Sequence, residues 1–190
     1  MDITSHGVSR TFPTADADDL ALFAELLLWL TAFDDLHAEG NAVKEAAALV
    51  DHTGELMLVL AHGDRRPVRK PFPAALDDLL ARFRARASPV AYLRLTASLR
   101  DTIMALVWEA HHVAEPEKVV LATYLAMRPH TVFIRTIMAA AEIVLGYELT
   151  DAERDLPSVR RLETAVANLA GWINDLASYG REVARGPAQP

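Results

Sequence analysis

The arrangement of apolar residues and prolines restricts the fold of this chain more than any other feature of its sequence. Apolar residues lie in long runs rich in Ala and Leu, and the strict alternation of a half-buried strand is nearly absent. Prolines separate these runs, and a proline begins or ends a helix more readily than it continues one. The pattern predicts an all-α fold, preceded by an irregular segment over about residues 1–14.

The prolines and capping residues divide the rest of the chain into about six to seven predicted helices. Their expected ranges are about 17–38, 41–61, 74–87, 89–113, 116–127, a segment from Pro129 to Leu145, and 158–185. Pro129 is expected to break or kink the chain, and Gly146 to end a helix. No internal repeat divides the sequence, so residues 1–190 are expected to form one domain.

The composition excludes several classes of function. The chain has 190 residues, of which 52% are hydrophobic, so it can bury a core and is not disordered. Its net charge of −7 disfavours nucleic acid or an anionic membrane as the main partner, because both are negatively charged. The absence of cysteine excludes disulfides and thiolate sites. No signal peptide or membrane span is visible, and a cytoplasmic protein is expected.

One polar column near the end of the chain points to a metal site. Asn174, Ser178 and Glu182 are spaced four residues apart, so on a helix they stack on one face. An amide oxygen, a hydroxyl and a carboxylate form the hard-oxygen ligand set that Mg²⁺ prefers. Asp175 points about 100° away from Asn174 on the same helix, so it is expected either to support the ligand residues or to have a structural role.

A second oxygen cluster lies far upstream and consists of Asp34, Asp35 and Glu39. It follows the apolar run "LLLWLTAF", where carboxylates are costly to bury unless they are paired or bind a metal. Two other acidic pairs, at 18–19 and 77–78, are interpreted as a helix start and a solvated face. Two oxygen clusters on separate helices predict a cleft that holds divalent ions and a diphosphate.

These two motifs resemble those of the bacterial class I terpene synthases. The family's DDxxxE motif is matched by Asp34, Asp35 and Glu39, and its NDxxSxxxE motif by Asn174, Asp175, Ser178 and Glu182. The resemblance extends from about Gly7 to Gly186. It implies an incomplete class I terpene synthase-like helical bundle, truncated at both ends and without the late helices of the pocket.

The resemblance also implies a chemistry and further site residues. Three Mg²⁺ ions would bridge both motifs and a prenyl diphosphate, for which farnesyl diphosphate is the usual substrate of the family. The family carries a diphosphate-sensing arginine on its central helix, usually as the second of two arginines. In "LAMRPHT" this position aligns with Pro129, and Arg128 beside it is the residue expected to take its place. Arg181 corresponds to a basic residue near the diphosphate.

Two other interpretations are compatible with the sequence. The chain could be a non-catalytic helical remnant or interaction module derived from the same fold. Glu109 and His112 form one ExxH pattern of the di-iron bundles, but such a site requires a second copy, so a polar helix end is the preferred interpretation. In a truncated chain, exposed apolar surface is expected to promote self-association.

Overall fold

The described residues form an all-α structure. The computed structural model describes residues 3–35, 46–62, 70–113 and 119–185, and this part of the chain contains no strand. The prediction of an all-α fold is therefore confirmed. The helices are α1 (Ile3–Thr11), α2 (Ala17–Phe33), α3 (Ala46–His62), α4 (Pro71–Arg84), α5 (Pro89–Val113), α6 (Leu121–Thr131), α7 (Ile134–Val144), α8 (Asp151–Arg154) and α9 (Pro157–Arg185).

Helix α5 lies at the centre of the fold and packs against α3, α4, α6 and α7. Leu95, Leu99, Ile103 and Leu106 lie on one face of this helix at spacings of three and four residues, and all four are fully buried. Burial of such a side chain stabilises the fold by about 1.5–3 kcal/mol. The long helix therefore anchors α6 and α7, the helices that carry part of the candidate site.

The prediction of an irregular segment over residues 1–14 was wrong, because Ile3–Thr11 form helix α1. Its sequence has little intrinsic helical preference, but Val8 is buried. Phe12, just after the helix, places its ring edge-on to Phe23 of α2, with the ring centres 4.9 Å apart. These tertiary contacts stabilise a short helix that the local sequence alone would not specify.

The prolines act differently from the sequence prediction at two places. Pro71 and Pro73 were expected to lie in a non-helical link before the helix at 74–87. They instead lie in the first turn of α4, where backbone N–H groups have no partner within the helix and proline is tolerated. Helix α6 continues through Pro129 and ends at Thr131. The break lies at Phe133, whose φ of 61° is left-handed. A bulky residue rarely adopts this conformation, so tertiary packing determines this break.

Hydroxyl groups surround the break between α6 and α7. Thr102 of α5 donates to the carbonyl oxygen of His130 at 3.4 Å. The hydroxyls of Thr102 and Thr136 are 3.0 Å apart, and both residues are fully buried. The backbone N–H of Phe133 also donates to His130. These bonds provide partners for polar groups that the interrupted helix would otherwise bury unpaired.

An ion cluster fixes the chain between α7 and α9. Glu142 of α7 is buried and forms a salt bridge with Arg154 of α8. Arg94 of α5 lies 3.9 Å from Glu142, and it also donates to the carbonyl oxygen of Leu149 at 2.9 Å and to Asp151 at 2.7 Å. The turn after α7 is thus attached to the central helix, which positions the start of α9.

Several predicted boundaries differ from the structure. Helix α2 was expected to reach residue 38 but ends at Phe33, and residues 36–45 lie outside the described part of the chain. The helix expected to open at Pro116 begins at Leu121, and 114–118 are not among the described residues. Within the described residues, no helix is long and apolar enough to cross a membrane.

Candidate metal and diphosphate site

The first acidic cluster lies at the end of α2. Phe33 is buried, and the chain then widens into a π-type turn that carries Asp34 and Asp35. Such turns are frequent at functional sites. Asp34 is half-buried, with its Oδ1 atom buried, whereas Asp35 is exposed. Glu39, the third predicted ligand of this cluster, lies outside the described residues.

The second motif lies on α9, which packs against α6 and α7. Asn174 is exposed, and Ser178 is buried with its hydroxyl 3.4 Å from the carbonyl oxygen of Asp175. The backbone of residues 181 and 182 continues the helix, but their side chains are not described. The roles predicted for Arg181 and Glu182 therefore remain predictions.

Arg128 connects α6 to the second motif. Its Nε donates to Asp175 Oδ1 at 2.8 Å, and its Nη2 donates to Asn174 Oδ1 at 2.6 Å. The Arg128 side chain is 13% exposed, so the charge-assisted bonds lie in a partly desolvated position where they are stronger than at the surface. The sequence indicated Arg128 and Asn174 separately, and the structure brings them into direct contact.

Tyr124 completes this network, and the sequence analysis did not identify it. Its hydroxyl donates to Asp175 Oδ2 at 2.9 Å. Burial, followed by this hydrogen bond, raises the pKa of Tyr124 to about 12. The phenol therefore stays protonated at neutral pH and keeps its donor. Tyr124 and Arg128 are four residues apart on one face of α6, and this spacing is the sequence feature that could have identified Tyr124 as a neighbour of Arg128.

Gly171 provides the space that Arg128 occupies beside α9. A Cβ atom at this position would lie 2.8 Å from Cγ of Arg128, which is too close for a normal contact. The arginine side chain thus lies directly against the backbone of α9 at this glycine. A side chain here would have to displace Arg128, so Gly171 is required for the observed contact rather than for flexibility.

Helix α7 packs against both α2 and α9, the helices that carry the two motifs. The cleft predicted between the two oxygen clusters is not tested, because the side chains of Glu39 and Glu182 are not described. Among the described residues, no group of three or more acidic or histidine side chains is placed to hold a metal. The amide of Asn174 and the hydroxyl of Ser178 are additional oxygen donors of the kind that suits Mg²⁺.

A separate groove lies at the other end of α2. Its lining includes Asp16, Asp19, Arg86 and Gly146. The 17 residues of α2 separate this groove from Asp34 by about 25 Å along the helix axis. Arg86 pairs with Asp19 there at 2.6 Å, so its charge is already neutralised. This groove is therefore not part of the predicted diphosphate site.

The Arg128–Asn174 contact bears on whether these residues could bind a metal ion. The Arg128 guanidinium donates a hydrogen bond to Asn174 Oδ1, so this exposed amide already directs its oxygen at a positive charge. The donor chemistry of Asn174, Ser178, Asp34 and Asp35 fits a hard divalent cation, since all of them offer oxygen. The residues present are thus compatible with the predicted Mg²⁺ site.

Known proteins with similar sequences are terpene synthases. The chain is 78% identical over 190 residues to a (12E)-labda-8(17),12,14-triene synthase from Streptomyces cyslabdanicus, covering 100% of this chain and 58% of that protein. It is 57% identical over 185 residues to a synthase of the same name from Streptomyces anulatus, covering 96% of this chain and 57% of that protein. The chain thus spans somewhat more than half the length of these relatives.

Solved structures share this fold, and one of them is a named synthase. The linalool/nerolidol synthase from Streptomyces clavuligerus, in complex with 2-fluorogeranyl diphosphate, superposes with a TM-score of 0.79 at 25% identity. That match covers 94% of this chain and 59% of that one. A protein named SVS_A2, from ancestral sequence reconstruction, has a TM-score of 0.79 at 28% identity, covering 87% of this chain and 51% of its own.

The family assignment rests on the whole second motif and most of the chain. The sequence profile described as "Terpene synthase family 2, C-terminal metal binding" matches residues 25–189. This range includes both oxygen clusters and the network around Arg128. The resemblance inferred from the motifs is therefore confirmed: this chain belongs to terpene synthase family 2 and matches the profile of its C-terminal metal-binding region.

Proposed function

We propose that this chain carries the metal and diphosphate site of a Mg²⁺-dependent enzyme that ionises and cyclises a prenyl diphosphate. The observation that supports this most directly is the contact between Arg128 and Asn174 Oδ1. It joins the predicted diphosphate-binding arginine to a predicted metal ligand across two packed helices. The names of the relatives at 78% and 57% identity agree with this activity.

The metal would be held by oxygen atoms of both motifs, namely Asp34, Asp35, Glu39, Asn174, Ser178 and Glu182. When bound, Mg²⁺ supplies Lewis-acid stabilisation of the negative charge that develops on the leaving diphosphate. Arg128 and Arg181 would donate hydrogen bonds to the phosphate oxygens, and a guanidinium can do so with two parallel N–H groups. The number of three ions remains a prediction from the family resemblance.

The substrate is proposed at the level of a class, with two candidates. Farnesyl diphosphate follows from family resemblance, and one relative, from Streptosporangium roseum at 29% identity, is named as a farnesyl diphosphate cyclizing synthase. The relatives at 78% and 57% identity are named for a labdatriene, which is a diterpene hydrocarbon. The higher identity favours a diterpene diphosphate over farnesyl diphosphate.

We expect Mg²⁺ together with inorganic diphosphate to raise the melting temperature by about 5 °C, more than either ligand alone. Carboxylates in one cleft repel each other, and bound cations relieve this repulsion while bridging the anion. Asn174→Ala and Asp34→Ala should each reduce the gain by half or more. Differential scanning fluorimetry over a ligand titration measures the effect. Replacing inorganic diphosphate by farnesyl or geranylgeranyl diphosphate shows which prenyl chain raises the melting temperature further.

The controls for this experiment are matched in chemistry. Asn168→Ala removes an amide from the same helix, and Asp51→Ala removes an exposed aspartate from α3. Both should keep the full gain. An equal gain in Asn174→Ala, Asp34→Ala and the two controls would remove the motif residues from the site. No gain in the unsubstituted chain would favour the alternative of a non-catalytic helical remnant or interaction module.

We also propose that this chain self-associates through the apolar face of α9. Large side chains along most of this helix are exposed, and Leu176 is 80% exposed. The other members of the apolar face are Leu162, Val166, Leu169, Trp172, Ile173, Tyr179 and Val183. Their spacing of three and four residues places most of them in one continuous stripe, and stripes of this kind promote association in water.

Light scattering coupled to size exclusion tests this proposal. We expect the unsubstituted chain to elute above its monomer mass at tens of micromolar, and Leu169→Glu with Leu176→Glu to shift it towards monomer. Leu93→Glu is the control, because Leu93 is 66% exposed on a different helix. A monomer at every concentration, or an equal shift in the control, would contradict the assignment of the α9 face.

A further inference from the structure

The guanidinium of Arg128 is fixed by groups on two helices. On α9, Asp175 accepts from its Nε and Asn174 from its Nη2. On α6, Thr131 Oγ1 accepts from its Nη1 at 3.0 Å. Tyr124 holds the other carboxylate oxygen of Asp175. Asp175 Oδ1 also lies 2.7 Å from Nη2. Because Nε, Nη1 and Nη2 each have an acceptor, the arginine has little freedom to move while all of these bonds remain.

Arg128 and a metal ion would both bind the same atom, Asn174 Oδ1. The Arg128 nitrogen lies 2.6 Å from this oxygen. A Mg²⁺ ion would need to approach the same oxygen to about 2.1 Å. The two cations would then lie only a few ångströms apart, where like charges repel strongly in a partly desolvated site. Full occupancy of both positions is therefore unfavourable.

We propose that Arg128 and a divalent cation compete for Asn174 Oδ1, and that Asp175 and Tyr124 act as positioning residues that hold Arg128 next to this oxygen. The inference rests on the proposed function, because it takes Asn174 to be a metal ligand. When the metal occupies Asn174, the released Nη2–H becomes available to an anion. Metal binding and diphosphate binding are thereby coupled through one arginine.

Two substitutions weaken the competition by different routes. Arg128→Gln removes the guanidinium, and Mg²⁺ should then bind about tenfold more tightly in the absence of diphosphate. Gly171→Ala changes no charge, but its methyl group would lie 2.8 Å from Arg128 Cγ and push the side chain away from Asn174. We expect Mg²⁺ to bind about threefold more tightly to this variant.

The controls isolate charge and helix propensity. Arg135→Gln removes the same charge from an exposed position on α7. Gly180→Ala makes the same substitution on α9, where no atom lies within 4 Å of the added Cβ. Both should leave the Mg²⁺ affinity unchanged. Circular dichroism verifies that each variant is folded, and the half-saturating Mg²⁺ concentration is read from a melting-temperature titration with MgCl₂ alone.

The direction of the change distinguishes competition from a purely structural role. A structural Arg128 would leave a looser site when it is removed, so Mg²⁺ binding would weaken. Weaker or unchanged Mg²⁺ binding in both variants would overturn the proposal. Tighter binding in Arg128→Gln without tighter binding in Gly171→Ala would trace the effect to the removed charge rather than to the bond with Asn174, and would also overturn the proposal. If the unsubstituted chain binds Mg²⁺ neither alone nor with inorganic diphosphate, the proposed function itself fails, and the competition fails with it.

Discussion

Phe33→Ala is expected to lower the free energy of unfolding by about 4 kcal/mol, because it removes a fully buried ring and leaves a cavity. Phe33 is 1% exposed and stacks on Trp29 with ring centres 5.5 Å apart. It also packs edge-on against Phe72 of α4, at 6.2 Å. The ring thus joins α2 to α4 directly beside Asp34. The melting temperature should fall by about 10 °C.

Equilibrium unfolding in urea measures this change, with Leu28→Ala as the control. Leu28 lies on the same helix but is 42% exposed, so its truncation should cost about 0.5 kcal/mol. A cost for Phe33→Ala no larger than that of Leu28→Ala would show that the ring does not anchor the end of α2. Phe33→Ala should also lose part of the stabilisation by Mg²⁺ and diphosphate, because Asp34 directly follows the missing ring in sequence.

Glu142→Ala is the second substitution with a large expected effect, a loss of about 3 kcal/mol in the free energy of unfolding. The Glu142 side chain is 7% exposed and accepts from Arg154, with Arg94 3.9 Å away. Removing the carboxylate leaves two partly buried arginines without this shared partner. Their side chains are 20–24% exposed, so water can partly rehydrate them, which places the cost at the lower end for a broken buried pair.

The matched control for this substitution is Glu163→Ala. Glu163 also pairs with Arg154, at 3.1 Å, but it is 27% exposed. Its removal should cost about 0.5 kcal/mol, as for a solvated ion pair. Thermal unfolding of both variants at low and high salt provides the test. Equal costs for the two glutamates would contradict the central role of Glu142 in fixing the chain that leads into α9.

The features that sequence predicted well are those encoded within one or two helical turns. The spacing of apolar residues predicted the all-α fold, and α9 was expected at 158–185 and lies at Pro157–Arg185. The placement of Asn174 and Ser178 on this helix follows from a spacing of four residues. Each of these predictions depends on a repeat that a short window of sequence contains in full.

Other features depend on residues that are distant in sequence. Helix α1 forms because Val8 is buried, and the chain turns at Phe133 rather than at Pro129 because buried hydroxyls and packing stabilise a left-handed residue. Arg128 was identified from sequence, but its partner Asp175 lies 47 residues away. Nothing within a local window encodes that pairing.

The sequence by itself therefore predicted α2 to α7 and α9, though neither α1 nor α8, and it determined which side chains carry oxygen and guanidinium groups. Only the tertiary structure decided that Arg128 lies against Gly171 and donates to Asn174. The physical reason is the range of the interactions. Helical hydrogen bonds join residues four apart, whereas contacts between α6 and α9 form only when the packing of α5, α7 and α9 has brought these helices together.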